Sequence, residues 1–157
     1  MKKSQVKFDK QALFNEIYDA LSNEQTLRLI EYAEQELKEM QRSHTFANRT
    51  YNLEDSYVWV VYYEGAIVPD GFGDLGSTKA QEDVFGYSGR AMAEEFISKY
   101  NPRNKTGWEI VWAATMPYAT ALEKGIKPRK HQFYVLSQRY DVITKTLGEK
   151  CSTIIRI

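Results

Sequence analysis

The spacing closest to a chemical site is Gly71-Phe72-Gly73-Asp74-Leu75-Gly76, a literal G-x-G-x-x-G downstream of an aromatic, β-branched run. A loop of this kind holds a pyrophosphate on backbone N–H groups and the N-terminus of the next helix. Its surroundings argue against that use: Asp70 and Asp74 would repel the phosphates, and no repeating strand–helix–strand pattern encloses it. A flexible Gly-rich loop is the plainer expectation. Lys127-Pro128-Arg129-Lys130-His131 is the strongest basic patch and could touch phosphate, but a solvated loop is again plainer. His44 and His131 have no partner that would complete a Ser/His/Asp or Cys/His arrangement, and no G-x-S-x-G elbow exists. Cys151 lacks a nucleophile signature and reads as an ordinary thiol. The pairs Glu54-Asp55, Glu82-Asp83 and Glu94-Glu95 are adjacent in sequence. Adjacent residues share no helix or strand face, so they make poor acid/base couples. Trp59, Trp108 and Trp112 could stack on bases, yet on strands they are better read as core or subunit interface. No enzyme, cofactor or metal is expected from these groups.

The elements that must position such residues belong to a chain of one domain's length, 157 residues. A chain of this size buries roughly 70% of the surface its unfolded form exposes, enough for one core without staples. Apolar residues make up 43% and aromatics 13%, too many for a disordered chain. One cysteine excludes an internal disulfide and any Cys-based zinc site. Met1-Lys2-Lys3 is basic but no apolar stretch follows, so no secretory signal is expected. The longest apolar run, residues 57–63, is far below the ~20 residues of a membrane helix. Twenty-one basic side chains balance 21 acidic ones, which argues against binding nucleic acid or a membrane surface by bulk positive charge. The zero is a cancellation: residues 54–95 carry 2 basic and 9 acidic side chains, and residues 96–157 carry 11 basic and 4 acidic.

Apolar spacing predicts helix over residues 8–42. Leu13, Phe14, Ile17, Tyr18 and Leu21 form one stripe, and Leu27, Ile30, Ala33, Leu37 and Met40 another. Ser22-Asn23-Glu24-Gln25 looks like a capping box, so two helices or one kinked helix are expected. Residues 45–55 read as loop and 57–63 as a strand covered on both sides. Residues 65–89, with six glycines and Pro69, read as a long loop or insertion. Ser88 caps a helix carrying Met92, Phe96 and Tyr100, which stops at Asn101-Pro102. Residues 108–114 form a second strand, residues 132–147 a last helix ended by Gly148, and residues 153–157 have strand composition. The fold class is α+β, a single domain over 1–157. A long N-terminal helix or helical hairpin and a C-terminal helix pack on a small, mainly antiparallel sheet, with a Gly-rich insertion over 65–105.

Two stretches carry a family resemblance. Thr50-Tyr51-Asn52-Leu53-Glu54-Asp55-Ser56 resembles the T-G-N-L-x-x-S element of the siphophage tail-completion (neck, head–tail joining) proteins, in which it links a long N-terminal helix to the first strand. Tyr118-Ala119-Thr120-Ala121-Leu122-Glu123-Lys124-Gly125 resembles the family's Y-A-x-x-(aliphatic)-E-x-G, which follows a sheet strand. A Pro/basic segment with Lys127, Arg129 and Lys130, then Phe133 and a final helix, completes a likeness over residues 8–147. Tyr51 stands where the family usually has Gly, and the 65–105 insertion is larger than most members carry.

The resemblance implies a structural virion protein of the phage neck or tail top, assembled in the host cytoplasm. It would form a homo-oligomeric ring, six- or twelve-fold, joining portal or connector to tail around the DNA channel. DNA would only pass through, with no membrane involved. Thr50, Asn52, Leu53 and Ser56 would shape the approach to the first strand. Tyr118, Glu123 and Gly125 would mark the turn after the second. These positions define the fold first and form interfaces second. Ile154 and Ile155 lie in a segment suited either to pairing with a neighbouring copy or to completing its own sheet. The competing reading is a small soluble α+β binding or regulatory domain using the Gly-rich loop and basic patch for a ligand or nucleic acid.

Overall fold

The computed structural model describes residues 10–43, 45, 51–74, 86–125 and 135–156. Thr50, Lys127, Arg129, Lys130, His44, His131 and Phe133 lie outside the described residues. The first element is one helix, α1, Lys10–Ser43. The capping-box sequence does not divide it: the Thr26 hydroxyl donates back to the Ser22 carbonyl (2.8 Å), and Arg28 pairs with Glu24 across the same turn. A capping box stabilises a helix start but cannot break a helix, and no Pro or Gly is present to do so. Gln138 closes the far end, its side-chain amide donating to the Met40 carbonyl (3.4 Å) and the Ser43 hydroxyl (3.0 Å).

Where loop was expected before the first strand, a short helix α2, Asn52–Asp55, is present and wholly buried. It leads into β1, Tyr57–Tyr63. A two-residue turn follows, Glu64 at φ 51° and Gly65 at φ 82°, and both angles suit the tight turn of a hairpin. The returning strand is β2, Ala66–Asp74. The loop expected from residue 65 onward is therefore wrong up to Asp74. Its glycines serve close packing: a Cβ on Gly71 would stand 2.4 Å from the Val68 side chain, and one on Gly73 would stand 2.9 Å from the Trp59 indole nitrogen. Pro69 is tolerated because β2 is an edge strand whose pairing shifts at a bulge between Val60 and Tyr62. The segment 65–105 thus supplies a strand and the helix α3, Gly89–Lys99, capped as expected by the Ser88 hydroxyl.

β3, Trp108–Ala114, pairs antiparallel with β1, Trp59 opposite Trp112. The chain then passes through α4, Ala119–Lys124, a 3-10 turn Ser137–Arg139 and α5, Tyr140–Leu147. The last helix starts later than the expected 132 because Val135 and Leu136 are non-helical and fully buried, their N–H groups taken by a side chain described below. β4, Cys151–Arg156, lies parallel to β3. Of the two expectations for the C-terminal segment, the structure shows the strand in its own sheet: Ile154 and Ile155 lie in β4, and the strand order is β2-β1-β3-β4. The result is the expected α+β fold with a mixed, mainly antiparallel sheet.

Each face of the sheet has its own core. On one face Trp59, Val61, Ile110 and Trp112 meet Ala33, Leu37 and Met40 of α1 together with Leu136 and Ile143. On the other Val58, Val60, Tyr62, Val111 and Ala113 meet Ala93, Phe96 and Ile97 of α3. Two covered faces explain why β1 and β3 are apolar at consecutive positions.

Candidate functional site

The residues of the first motif form a buried junction between α2, α3 and β1. The Asn52 side chain accepts from the Gly89 N–H and donates to the Tyr87 carbonyl, both at 3.2 Å. Only glycine fits at 89, since a Cβ there would lie 2.1 Å from the Asn52 carbonyl oxygen. The Ser56 hydroxyl donates to the Leu53 carbonyl (2.7 Å), and the Ser56 carbonyl accepts from both the N–H and the hydroxyl of Thr115. Leu53 is buried in the α1-side core. Tyr51 sits at φ 60°, ψ 4°, the left-handed conformation that glycine adopts without strain.

The second motif surrounds α4. Ala119 is fully buried and Tyr118 is exposed at the start of the helix. Gly125 ends it at φ 77°. The Glu123 carboxylate accepts from the N–H groups of Val135 (2.6 Å) and Leu136 (3.3 Å) and from the Ser137 hydroxyl. Glu123 therefore clasps the chain on either side of residues 126–134, which include the basic patch. Beneath it, the buried Tyr57 hydroxyl donates to the Val135 carbonyl (3.2 Å). Burial, then the charges of Glu123 and Glu54, push that phenol far above its ordinary range.

Two further carboxylates matter, Glu109 and Glu36; the place of Glu36 off the apolar stripe of α1 suits a solvated face, but its side chain is buried. Glu109, fully buried on β3, accepts from the Tyr100 hydroxyl (2.9 Å) and from the N–H groups of Arg103 and Asn104. Its one sequence signal is an acid inside an otherwise apolar strand. Glu36 on α1 takes a two-pronged contact from the Arg139 guanidinium, at 2.9 and 3.0 Å. The hydrogen bond to Glu36 raises the Arg139 pKa.

These groups are engaged in holding the fold, and the structure does not gather them into one reactive centre. Burial pushes the Cys151 thiol up to about 11, so it is not a thiolate at neutral pH. Among the described residues no group of three His, Cys, Asp or Glu side chains stands close enough to hold a metal. The described glycines of the G-x-G-x-x-G, Gly71 and Gly73, lie within β2 rather than at a helix start. An open groove of about 500 Å³ runs beside α3, lined by Met92, Phe96, Tyr100 and Thr115, where Glu95 and Lys99 pair with each other. No described helix is long and apolar enough to cross a membrane. No protein-family model, curated protein or solved structure matches the chain.

Proposed function

We propose that the protein is a structural component of the phage neck or tail top, a homo-oligomeric ring that joins portal or connector to tail around the DNA channel. One observation carries the reading. Three side chains of the resembling motifs, Asn52, Ser56 and Glu123, each hold a junction between elements. Asn52 and Ser56 act between the long helix and the first strand, and Glu123 acts after β3, the third strand in chain order and the one that pairs with β1 on the side away from β2. A function of positioning and binding also suits a chain whose Glu36, Glu109 and Glu123 carboxylates hold parts of the fold together.

Light scattering after size exclusion tests the proposal, with the protein alone and mixed with portal, connector or tail-tube protein. A ring-sized mass in either case is expected. A strict monomer in every mixture, or one that instead binds an oligonucleotide or nucleotide, would overturn it.

A further inference from the structure

Tyr62 is 2% exposed, yet its hydroxyl has no hydrogen-bond partner among the described residues. A buried hydroxyl in that state has lost water with no bond to offset the loss. Its direct neighbour is an acceptor. Tyr62 and Glu109 are register partners across β1 and β3, so both side chains leave the same face of the sheet, the one that α3 covers. Burial and then Glu109 push the Tyr62 phenol up to about 12. The carboxyl group is thus within electrostatic reach, and the phenol keeps its proton at neutral pH. Another phenol holds that group instead. Oε1 of Glu109 accepts from the Tyr100 hydroxyl at 2.9 Å, with a longer contact from the Arg103 N–H at 3.3 Å. Oε2 accepts from the N–H groups of Arg103 (3.1 Å) and Asn104 (2.8 Å). The Tyr100 ring lies against the Tyr62 ring, centroids 5.6 Å apart, and against Phe96 at 5.2 Å. It also lines the groove of about 500 Å³ beside α3. Two phenols compete for one oxygen, and the one that holds it borders open space.

We propose that Tyr100 is a swinging side chain, which leaves Glu109 for the groove while Tyr62 takes its place on Oε1. The exchange replaces one phenol–carboxyl hydrogen bond by another. Its cost is the ring contacts of Tyr100, and the bond gained by the unpartnered Tyr62 hydroxyl offsets part of that cost. Only side chains move. The Tyr100 N–H stays on the Phe96 carbonyl (2.8 Å) as the cap of α3, and Oε2 keeps its hold on the loop after that helix. The groove therefore has two shapes, one with the Tyr100 ring against the sheet and one with the ring within it. This device goes beyond the neck reading and does not rest on it.

A double-mutant cycle in urea unfolding tests the exchange on the full chain. Tyr62→Phe removes a hydroxyl that makes no bond, so its unfolding constant should stay within about twofold of wild type. Tyr100→Phe leaves Tyr62 to take Oε1 and should raise the constant by less than about tenfold. The double variant leaves Oε1 without a phenol, and its effect should exceed the product of the single effects by at least about tenfold. A double effect equal to that product would overturn the exchange. So would a Tyr62→Phe effect as large as that of Tyr100→Phe. If the double variant does not fold, relaxation dispersion of the tyrosine rings decides. The Tyr100 signals, assigned by their loss in Tyr100→Phe, should show microsecond-to-millisecond exchange in wild type. In Tyr62→Phe the swung-out state loses its compensating bond, and its population should fall at least about tenfold. No exchange in wild type, or the same exchange in both chains, would overturn the proposal.

Discussion

Glu109 is an acid buried in the sheet, and its carboxyl oxygens accept from a phenol and from two backbone N–H groups of the loop after α3. Removing it strands those donors in the interior. Glu109→Ala should therefore lose about 2–4 kcal/mol in urea unfolding, and Glu109→Gln, which keeps one acceptor oxygen, less than half of that. Equal stability of wild type and the alanine variant would mean the loop finds other partners. Tyr51 makes the opposite case, a residue whose backbone suits glycine better. Tyr51→Gly should leave stability within about 1 kcal/mol of wild type, whereas Tyr51→Val, β-branched at positive φ, should lose about 1–2 kcal/mol. The same melts read both variants, and a valine variant as stable as the glycine one would show that the left-handed angle is not held.

The junction of α2 with α3 includes a close approach of backbones at Gly89. Gly89→Ala must push a Cβ away from the Asn52 carbonyl, and about 2–4 kcal/mol of destabilisation is expected, well above the roughly 1 kcal/mol typical of point substitutions. A shift in thermal midpoint no larger than that of a surface variant such as Glu94→Ala would count against it. The elements differ in how far the amino-acid sequence revealed them. The strands at 57–63 and 108–114, and the helix capped by Ser88, were legible because their apolar runs and cap are local signals. β2 was hidden because Pro69, Gly71 and Gly73 are loop residues by composition; it is the closeness of Val68 and the Val61 carbonyl to Gly71, and of the Trp59 indole to Gly73, that calls for glycine in that strand. The late start of α5 was hidden for a similar reason, since the N–H groups that bar earlier helix answer to Glu123, twelve and thirteen residues upstream. Asn52, Ser56 and Glu123 do hold junctions of the fold, but Glu109 and the Glu36–Arg139 pair depend on partners distant in sequence or on loop backbone, which no spacing displays.

The sheet order gives the charge segregation a direction. β2 and its flanks, with Asp70 and Asp74, form one edge, while β4 follows α5, with Lys145, at the other. Part of the basic excess of residues 96–157 is cancelled inside one copy, where Arg139 is held by Glu36 of α1. If the remainder draws neighbouring copies together edge to edge, assembly should weaken as salt rises from about 0.01 to about 1 M and the screening length falls from about 30 to about 3 Å. A mass distribution indifferent to salt would show that the charges cancel within each copy. Stability should also carry an alkaline limit. Burial lifts the Cys151 thiol from 9.0 to about 11, and burial and then Glu109 lift the Tyr62 phenol from 10.0 to about 12. Both are neutral in the folded chain, so their contribution is complete below the unfolded values and is lost as pH rises through the folded ones. Thermal midpoints should hold below pH 9 and fall between pH 9 and 12, with tyrosinate absorbance rising together with unfolding; a flat profile to pH 12 would contradict the burial of these groups. The parallel placement of β4 against β3 also has a consequence in time. A ribosome delivers β3 well before β4, and in that interval the strand bearing Ile110 and Trp112 has one flank open to other nascent chains. Translation speed across the stretch between them is thus a determinant of yield, and slow codons there would favour aggregates over folded product.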